Sequence, residues 1–378
     1  MPAYLDHAAG TTLRPAAGEA LAEALRTVGN PSSIHRHGQA ARAVLEEARE
    51  RLAAAAGCEP VEVLLTSGGT EAVNLAITGA VRARGGALLL PGGEHAATVE
   101  TAEALERDGT RVVRLPVDEH AVLHADVLAE ALAANPDAGL LTVLAANNEV
   151  GSVTDVAGLA RVARAAGIPV HVDAIAAFGA VPTRFDDSGA DLMSLSSVKV
   201  GGPAGVGALL ASRTAPTAPL LHGGGQERGL RSGTPSAALA IAFAVAAEEA
   251  VAGLAAEAER VAALRDRALA GVLAAVPGAV VRGTPPGPGR LPGNLHVTVD
   301  GAEGESLLLL LDVAGVSVST GSACLAGVAR VSPVLLAMGV PTAAARGALR
   351  ITFGHSSTDE DVDALLAALP LLAPALAR

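Results

Sequence analysis

Short apolar runs alternate with amphipathic stretches over the first 215 residues. Hydrophobic positions three and four apart indicate helices, and short apolar runs without polar alternation indicate strands buried on both faces. The pattern predicts helices near 14–28, 38–57, 70–84, 96–108, 126–135 and 156–167. It predicts strands near 62–66, 87–90, 111–115, 139–145, 168–173, 191–195 and 206–212. This alternation predicts an α/β fold with a largely parallel sheet covered by helices on both faces.

The pattern changes after residue 234. From 234 to about 276 it becomes helical and rich in Ala, Leu, Glu and Arg, which predicts a connecting helix that leads to a second domain. A Gly/Pro-rich stretch at 283–290 predicts a surface loop. Strands are expected near 294–299 and 315–319, and helices near 304–312, 332–338 and 358–368.

Charge and hydropathy exclude several classes of protein. The chain of 378 residues carries 39 acidic and 27 basic residues, a net charge of −12, without a basic stripe that could follow a nucleic-acid backbone. Four Phe, one Tyr and no Trp offer no platform for stacking bases. The most apolar stretches, near 236–247 and 307–318, are too short or interrupted for a membrane span. We therefore expect no direct nucleic-acid contact and no membrane span. The opening residues Met1-Pro-Ala-Tyr-Leu-Asp6 contain neither a basic nor an apolar signal region, so we expect a cytoplasmic location.

One count points towards chemistry. Lys199 is the only lysine among the 27 basic residues, and the rest are arginine. Lysine can form a Schiff base when its pKa is lowered, whereas arginine cannot. The two cysteines, Cys58 and Cys324, are too few to staple a chain of this size, so we interpret both as free thiols in a reducing compartment.

Three features in a fixed order suggest a phosphate-bearing cofactor. Ser67-Gly-Gly-Thr70 follows a predicted strand and opens a helix, which is the geometry of an anion cradle, although such a turn can also be merely structural. Asp173 ends a predicted strand, where it could pair with a pyridinium nitrogen or cap the next turn. Lys199 follows the next strand along the chain. Together these residues fit a pyridoxal phosphate enzyme.

With these features the chain resembles the group I cysteine desulfurases, which are class V aminotransferase-like pyridoxal phosphate enzymes of fold type I. The motifs that carry the resemblance span nearly the whole chain. They are Tyr4-Leu-Asp-His-Ala-Ala, Gly29-Asn-Pro-Ser-Ser-Ile-His35, Thr66-Ser-Gly-Gly-Thr-Glu71 with Asn74, Glu94-His95, Asn147-Asn-Glu-Val-Gly151, His171-Val-Asp-Ala174, His222-Gly-Gly-Gly-Gln-Glu-Arg228, Arg231-Ser-Gly-Thr234, Ser319-Thr-Gly-Ser-Ala-Cys324 and Leu349-Arg350.

The resemblance implies a role for each matching residue. Lys199 would form the Schiff base with pyridoxal 5'-phosphate, Cys324 would be the nucleophile that takes sulfur as a persulfide, and His95 would lie against the ring and assist proton transfer. The implied cofactor-binding residues are Ser67, Gly69, Thr70, Asn148, Asp173, Ser196, Lys199 and Thr234. Asn148 and Arg350 would orient the substrate carboxylate, and no metal is implied. Cys58 is expected to be a buried apolar thiol.

The resemblance also implies the architecture and the partners. A large cofactor-binding domain with a mostly parallel sheet would span 13–255, and a smaller α+β domain would combine 1–12 with 256–378. Thr234 would reach the phosphate of a neighbouring subunit, which implies a homodimer. The substrate would be L-cysteine, converted to L-alanine, and the sulfur would pass to an acceptor protein such as an iron–sulfur scaffold or a tRNA-thiolation enzyme.

Three positions depart from the family pattern. Val198 stands where a histidine is usual, Ala176 where a glutamine is usual, and Gly10 where a threonine is usual. The first two remove hydrogen-bond donors to the cofactor, worth ~2–4.5 kcal/mol together. These departures leave two alternatives open: a related lyase or aminotransferase-like enzyme acting on another amino acid, and a catalytically weakened sulfur-transfer scaffold.

Overall fold

The computed structural model describes residues 2–321 and 331–376. Its strands are β1 (Ala3–Tyr4), β2 (Val63–Thr66), β3 (Ala87–Pro91), β4 (Val112–Leu115), β5 (Ala138–Leu144), β6 (Val170–Asp173), β7 (Leu192–Ser196), β8 (Gly207–Ala211), β9 (Ala279–Val281), β10 (Asn294–Val299), β11 (Val316–Ser317) and β12 (Ala348–Thr352). Its helices are α1 (Pro15–Ala24), α2 (Arg36–Ala56), α3 (Gly69–Arg84), α4 (Ala96–Arg107), α5 (Ala125–Ala134), α6 (Val156–Ala165), α7 (Phe185–Ser188), α8 (Ala237–Ala252), α9 (Leu254–Ala275), α10 (Gly304–Val313), α11 (Pro333–Ala337), α12 (Thr342–Ala345), α13 (Asp359–Ala368) and α14 (Ala373–Leu376).

The large sheet confirms the predicted α/β class. Its strand order is β2-β8-β7-β6-β5-β3-β4, and every neighbouring pair is parallel except the two that involve β8. The connection from β7 to β8 is too short for a helical crossover, so β8 runs antiparallel to β7. Adjacent residues of one strand belong to different hydrophobic clusters, as Leu64 and Leu65 or Leu140 and Leu141 do. Both faces of the sheet are therefore buried, which explains the uninterrupted apolar runs.

The predicted single connecting helix is instead two helices. The axes of α8 and α9 differ by 75°, and the break between them is at Gly253. α8 packs against α1 and α2 and is buried almost all round, whereas α9 supplies Val261 and Leu264 to a different core. The bend at Gly253 lets the two helices pack into different cores. Among the described residues, no single helix meets the length and apolarity needed to cross a bilayer, although the bent pair meets them jointly.

A second core surrounds two small sheets. β12, β10 and β9 form an antiparallel sheet, and β1 pairs in parallel with β11. The core joins Leu5, near the start of the chain, to side chains between Val261 and Leu372. This separate core supports the division into 13–255 and 1–12 with 256–378, which stays a prediction. Periodicity missed β1, β9 and β12, which pair only with strands distant in sequence or across a loop.

Candidate functional site

Three predicted site segments meet at one edge of the large sheet. Ser67 follows β2, Asp173 ends β6, and Lys199 closes the short turn after β7. β2 and β7 are both antiparallel to β8, and β6 is parallel to β7, so all three strands point the same way. Their carboxyl ends therefore share an edge, where ligands of open α/β sheets bind.

The turn at 67–70, together with Ser196, forms an anion cradle. Gly68 caps α3 without any side-chain hydrogen bond, so the first amides of this helix remain available to an anion. The side chains of Ser67 and Thr70 are exposed beside them. A Cβ atom on Gly69 would lie 2.3 Å from Ile175 Cδ1 and 3.2 Å from Ser196 Cβ. Glycine at position 69 thus lets the turn approach the buried Ser196 closely.

An acidic residue in the first turn of α3 is neutralised. Glu71 Oε1 accepts a hydrogen bond from Arg231 Nε at 2.7 Å, and its Oε2 accepts from the Ser67 amide at 2.6 Å. Although burial opposes the effect, these hydrogen bonds lower the pKa of Glu71. The ion pair with Arg231 therefore limits repulsion between Glu71 and an anion in the cradle.

Asp173 is a buried carboxylate beside Lys199. Only 1 % of its surface is exposed, and its Oδ1 accepts a hydrogen bond from the Ile175 amide at 3.0 Å. Burial raises the pKa of Asp173 to about 6, while that hydrogen bond and the Lys199 charge oppose the rise. A cationic partner would stabilise this carboxylate, and a protonated ring nitrogen is such a partner.

Lys199 contacts the N-terminal segment of the chain. Its Nζ donates hydrogen bonds to the carbonyl oxygens of Ala8 at 2.7 Å and Ala9 at 2.5 Å. A cavity of about 130 Å³ lies beside it, with Ala176 and Asn148 in the lining. The amine therefore lies between the large sheet and the opening residues of the chain, next to space for a small molecule.

His95 caps α4 on the same edge of the sheet. Its Nδ1 accepts a hydrogen bond from the Ala97 amide at 3.0 Å, which places the proton of the neutral ring on Nε2. Burial, followed by the charges of Lys199 and Arg350, lowers the pKa of His95. The imidazole is therefore neutral near pH 7 and can exchange a proton.

Arg350 extends from β12 in the second core and anchors the arginine cluster, which comprises Asp6, Asn148, His296 and Arg350. Its Nη2 donates to Asp6 Oδ1 at 2.8 Å, and its Nη1 donates to the Asn148 carbonyl at 3.1 Å. Its Nε is buried and has no hydrogen-bond partner among the described residues. His296 pairs with Arg350 across β10 and β12, and its two ring nitrogens have no hydrogen-bond partner in the part of the chain that the structure describes. Burial lowers the pKa of His296 to about 3.

Two of the three departures from the family pattern contact each other. A Cβ atom on Gly10 would lie 3.2 Å from Val198 Cγ2, and the Val198 carbonyl accepts a hydrogen bond from the Thr11 amide at 3.0 Å. Ala176 lies apart from this contact and lines the cavity beside Lys199. Gly10 and Val198 thus pack together, whereas Ala176 faces the cavity.

Thr234 and Cys58 lie within the described part of the chain, but Cys324 does not. Thr234 is exposed before α8, and no described hydrogen bond joins it to the cradle. Cys324 lies outside the described residues. Burial raises the pKa of the half-buried Cys58 thiol to about 12, so Cys58 is protonated and unreactive near pH 7. The described residues include no group of three metal-ligating side chains.

The sequence analysis assigned no individual role to Asp6, Glu149 or His296. Asp6 and Glu149 lie inside motifs quoted above, so their positions were visible, but their shared proximity to Arg350 depends on distant pairing. Glu149 is buried, and its Oε2 accepts a hydrogen bond from Ser332 Oγ at 2.5 Å. The signal that could have found this cluster is His296, a titratable residue within the predicted strand near 294–299, all of whose residues in β10 are buried.

Comparison with known proteins agrees with this geometry. Residues 3–365 match the family model described as aminotransferase class-V. The chain is 48% identical over 375 residues to an IscS-like cysteine desulfurase of Mycobacterium tuberculosis, covering 97% of this chain and 95% of that protein. It is 40% identical over 364 residues to the cysteine desulfurase IscS of Dictyoglomus turgidum, covering 95% and 91%. A solved NifS-like protein superposes with a TM-score of 0.91 at 32% identity, covering 99% and 100%.

Proposed function

The chain belongs to the class V aminotransferase family and is a cysteine desulfurase, and we propose that it works with pyridoxal 5'-phosphate carried by Lys199. The observation that carries this proposal is the meeting of the cradle, Asp173 and Lys199 at one sheet edge, with Arg350 reaching in from the second core. An anion site, a buried carboxylate and a solitary lysine match the phosphate, the ring nitrogen and the aldehyde of this cofactor.

The residues present fit the cofactor. The uncapped amides of α3 with Ser67, Thr70 and Ser196 would hold the phosphate, and Asp173 would hold the ring nitrogen in its protonated form. Gly69 leaves the close approach to Ser196 that a side chain would block. When bound, the cofactor accepts the electrons that remain on the substrate after its Cα proton is removed.

Arg350 and Asn148 would bind and orient L-cysteine. The guanidinium offers planar donors to the substrate carboxylate, and its contact with the Asn148 carbonyl fixes the plane of the fork. Lys199 lies beside the cavity with its amine held by two carbonyl oxygens, from where it can take up the Cα proton. Neutral His95 with its proton on Nε2 would assist that transfer.

Cys324 would complete the reaction. Its thiolate attacks the sulfur of L-cysteine, an S–S bond forms as the C–S bond breaks, and the carbon fragment takes up a proton and leaves as L-alanine. The protein retains a persulfide, which passes to a sulfur-acceptor protein. We also propose the cytoplasm as its location, because a reducing compartment keeps the Cys324 thiol free.

A second copy of the chain would complete the site. Thr234 is exposed, and a surface recess brings Pro31 and Ser32 beside the segment that includes Glu227 and Pro235. The neighbouring Ile34 is 92 % exposed and Val28 is 73 % exposed, so this segment presents apolar side chains that a second copy could cover. A homodimer that buries this surface would bring Thr234 to the phosphate of the other subunit.

Chemical labelling tests the role of Lys199. Borohydride reduction of the holoenzyme followed by peptide mapping should place the cofactor on Lys199, the only lysine in the chain. The Lys199→Ala variant should take no label at the corresponding peptide. Absence of label from the correctly folded wild-type protein would contradict the proposed function.

A cysteine pair tests the sulfur transfer. Cys324→Ala should still bind L-cysteine but form no persulfide, because the accepting sulfur is gone. Cys58→Ala is the matched control and should form persulfide normally, since the raised pKa of Cys58 keeps that thiol protonated. Undiminished persulfide in the Cys324→Ala variant would assign the role to Cys58.

A further inference from the structure

Arg350 is buried, and among the described residues Asp6 is the one carboxylate that makes an ion pair with it. Its side chain is 4 % exposed, whereas the side chain of its partner Asp6 is 20 % exposed. The Asp6 carboxylate contacts Nη2 at 2.8 Å, and Nε has no partner among the described residues. The guanidinium therefore has a neutralised charge but an unused donor, an arrangement that a second carboxylate could exploit.

We propose that Asp6 occupies the position of the substrate carboxylate on Arg350 and is displaced when L-cysteine binds, an inference that rests on the proposed function. A buried arginine without a counter-ion would be unstable, so Asp6 stabilises the empty site. Two carboxylates on one guanidinium repel each other, so the one with better geometry excludes the other. A substrate carboxylate that takes both Nε and Nη2 makes a bidentate contact, which Asp6 does not make.

The Asp6 side chain can leave without unfolding its surroundings. Its backbone is held independently, because the Asp6 carbonyl accepts hydrogen bonds from the Ala9 amide at 3.0 Å and from Tyr4 Oη at 3.1 Å. The Ala8 amide is held by Thr352 Oγ1 at 3.0 Å. Release of Asp6 therefore needs a side-chain rotation towards solvent rather than the loss of strand pairing.

The same turn also holds Lys199. Asp6 is followed within three residues by Ala8 and Ala9, whose carbonyl oxygens accept hydrogen bonds from Lys199 Nζ. Loss of the contact between Asp6 and Arg350 removes one of the side-chain anchors of this turn. Displacement of Asp6 therefore changes the support of the turn that contacts the Lys199 amine whenever that amine is not bound to the cofactor, so Asp6 acts as a positioning residue that links the two groups.

The Asp6→Asn variant tests whether Asp6 competes with the substrate carboxylate for Arg350 or only stabilises Arg350. The amide oxygen can keep a neutral hydrogen bond to Arg350, but the competing charge is gone. We expect the variant holoenzyme to bind L-alanine about five- to tenfold more tightly than the wild type, because a neutral acceptor is weaker than a charged one. The measurement is the rise in unfolding temperature with L-alanine concentration, and L-alaninamide, which lacks the carboxylate, should not distinguish the two proteins.

The chain offers a matched control. Arg265 is also a buried arginine that pairs with Asp266 at 2.6 Å, and its buried Nη1 has no partner among the described residues. Asp266→Asn should change the unfolding temperature without changing the L-alanine concentration needed for half of the shift. Equal or weaker L-alanine binding by Asp6→Asn would overturn the proposal, because Asp6 would then support Arg350 rather than compete for it.

Two further measurements separate the possible failures. If Asp6→Asn does not fold, amide hydrogen exchange in residues 6–11 of the wild-type protein tests the proposal instead. L-alanine should raise the exchange rate of these amides, and L-alaninamide should not. An exchange rate that L-alanine leaves unchanged would overturn the proposal. If Arg350→Lys binds L-alanine as tightly as the wild type, the carboxylate site of the proposed function fails as well. If Arg350→Lys loses binding while Asp6→Asn leaves it unchanged, only the displacement of Asp6 is wrong.

Discussion

The anion cradle and the arginine cluster are two parts of the site that are built in different ways. The cradle uses Ser67, Gly69 and Thr70 at the end of one strand, with Ser196 from the end of another strand of the same sheet. The arginine cluster joins Asp6, near the start of the chain, to Arg350, 344 residues later. The cradle is local and rests on helix geometry, whereas the cluster exists only after the second core has formed.

This difference separates cofactor binding from substrate binding. The cradle and Asp173 belong to the large sheet, so changes there should act first on cofactor retention. His296 and Arg350 of the arginine cluster belong to the small sheet, so changes at these two residues should act on the carboxylate of L-cysteine and leave the cofactor in place. Variants of each region test whether the two functions are separable in this way.

Asp173→Asn should have the largest effect. It removes the buried anion that holds the ring nitrogen protonated, and breaking such a buried pair costs about 3–5 kcal/mol, or roughly 150- to 4000-fold in cofactor affinity. The measurement is cofactor retention on dialysis, followed by absorbance. Retention equal to that of the wild type would exclude Asp173 as the partner of the ring.

The same variant should make the cofactor-free protein more stable at neutral pH. Because burial raises the pKa of Asp173 to about 6, this group costs stability as pH rises from its unfolded value near 4 through about 6, and costs nothing below that window. The asparagine variant escapes a penalty of up to about 3 kcal/mol at pH 7.5. Urea unfolding of both cofactor-free proteins at pH 4 and pH 7.5 measures this penalty. A stability difference between variant and wild type that is the same at both pH values would contradict the prediction.

The sequence predicted the cradle better than the arginine cluster for a physical reason. Ser67-Gly-Gly-Thr70, Asp173 and Lys199 each follow an apolar run, so strand periodicity alone places them at one sheet edge. Arg350 lies on β12, which periodicity missed, and its neighbours come from β10 and from the start of the chain. Only the family resemblance assigned Arg350 a role, and neither approach indicated that Asp6 is its partner.

Arg350→Lys should give the second-largest effect. An ammonium group cannot make the planar bidentate contact, so the KM for L-cysteine should rise roughly 10- to 150-fold, equivalent to about 1.5–3 kcal/mol. Cofactor retention should stay as in the wild type, because Arg350 lies outside the cradle. Loss of retention together with binding would show that the two regions are not separable.

Val198→His combined with Ala176→Gln should strengthen cofactor retention modestly. The ceiling for two recovered donors is ~2–4.5 kcal/mol, but only Ala176 faces open space, whereas Val198 packs against Gly10. We therefore expect about 1–2 kcal/mol, mostly from position 176. Loss of both retention and turnover in the folded double variant would favour an enzyme repacked for another amino acid.

The contact between Gly10 and Val198 should give the smallest effect, measurable as a coupling energy. A Cβ atom at position 10 would meet Val198 Cγ2 at 3.2 Å, which is tight enough to force a small shift. Gly10 is not among the residues with positive φ, so alanine is conformationally allowed there and gains ~0.4–1 kcal/mol by restricting the unfolded chain. In the wild-type background this gain should be cancelled by crowding against Val198.

A double-mutant cycle isolates that crowding. Val198→Ala removes the methyl groups that Gly10→Ala would meet, so the stabilisation should emerge only in the double variant, with a coupling of about 1 kcal/mol measured by urea unfolding. Additive effects would mean that the two positions are independent. A threonine at position 10 would then be compatible with Val198, and the two departures would be separate changes rather than one packed pair.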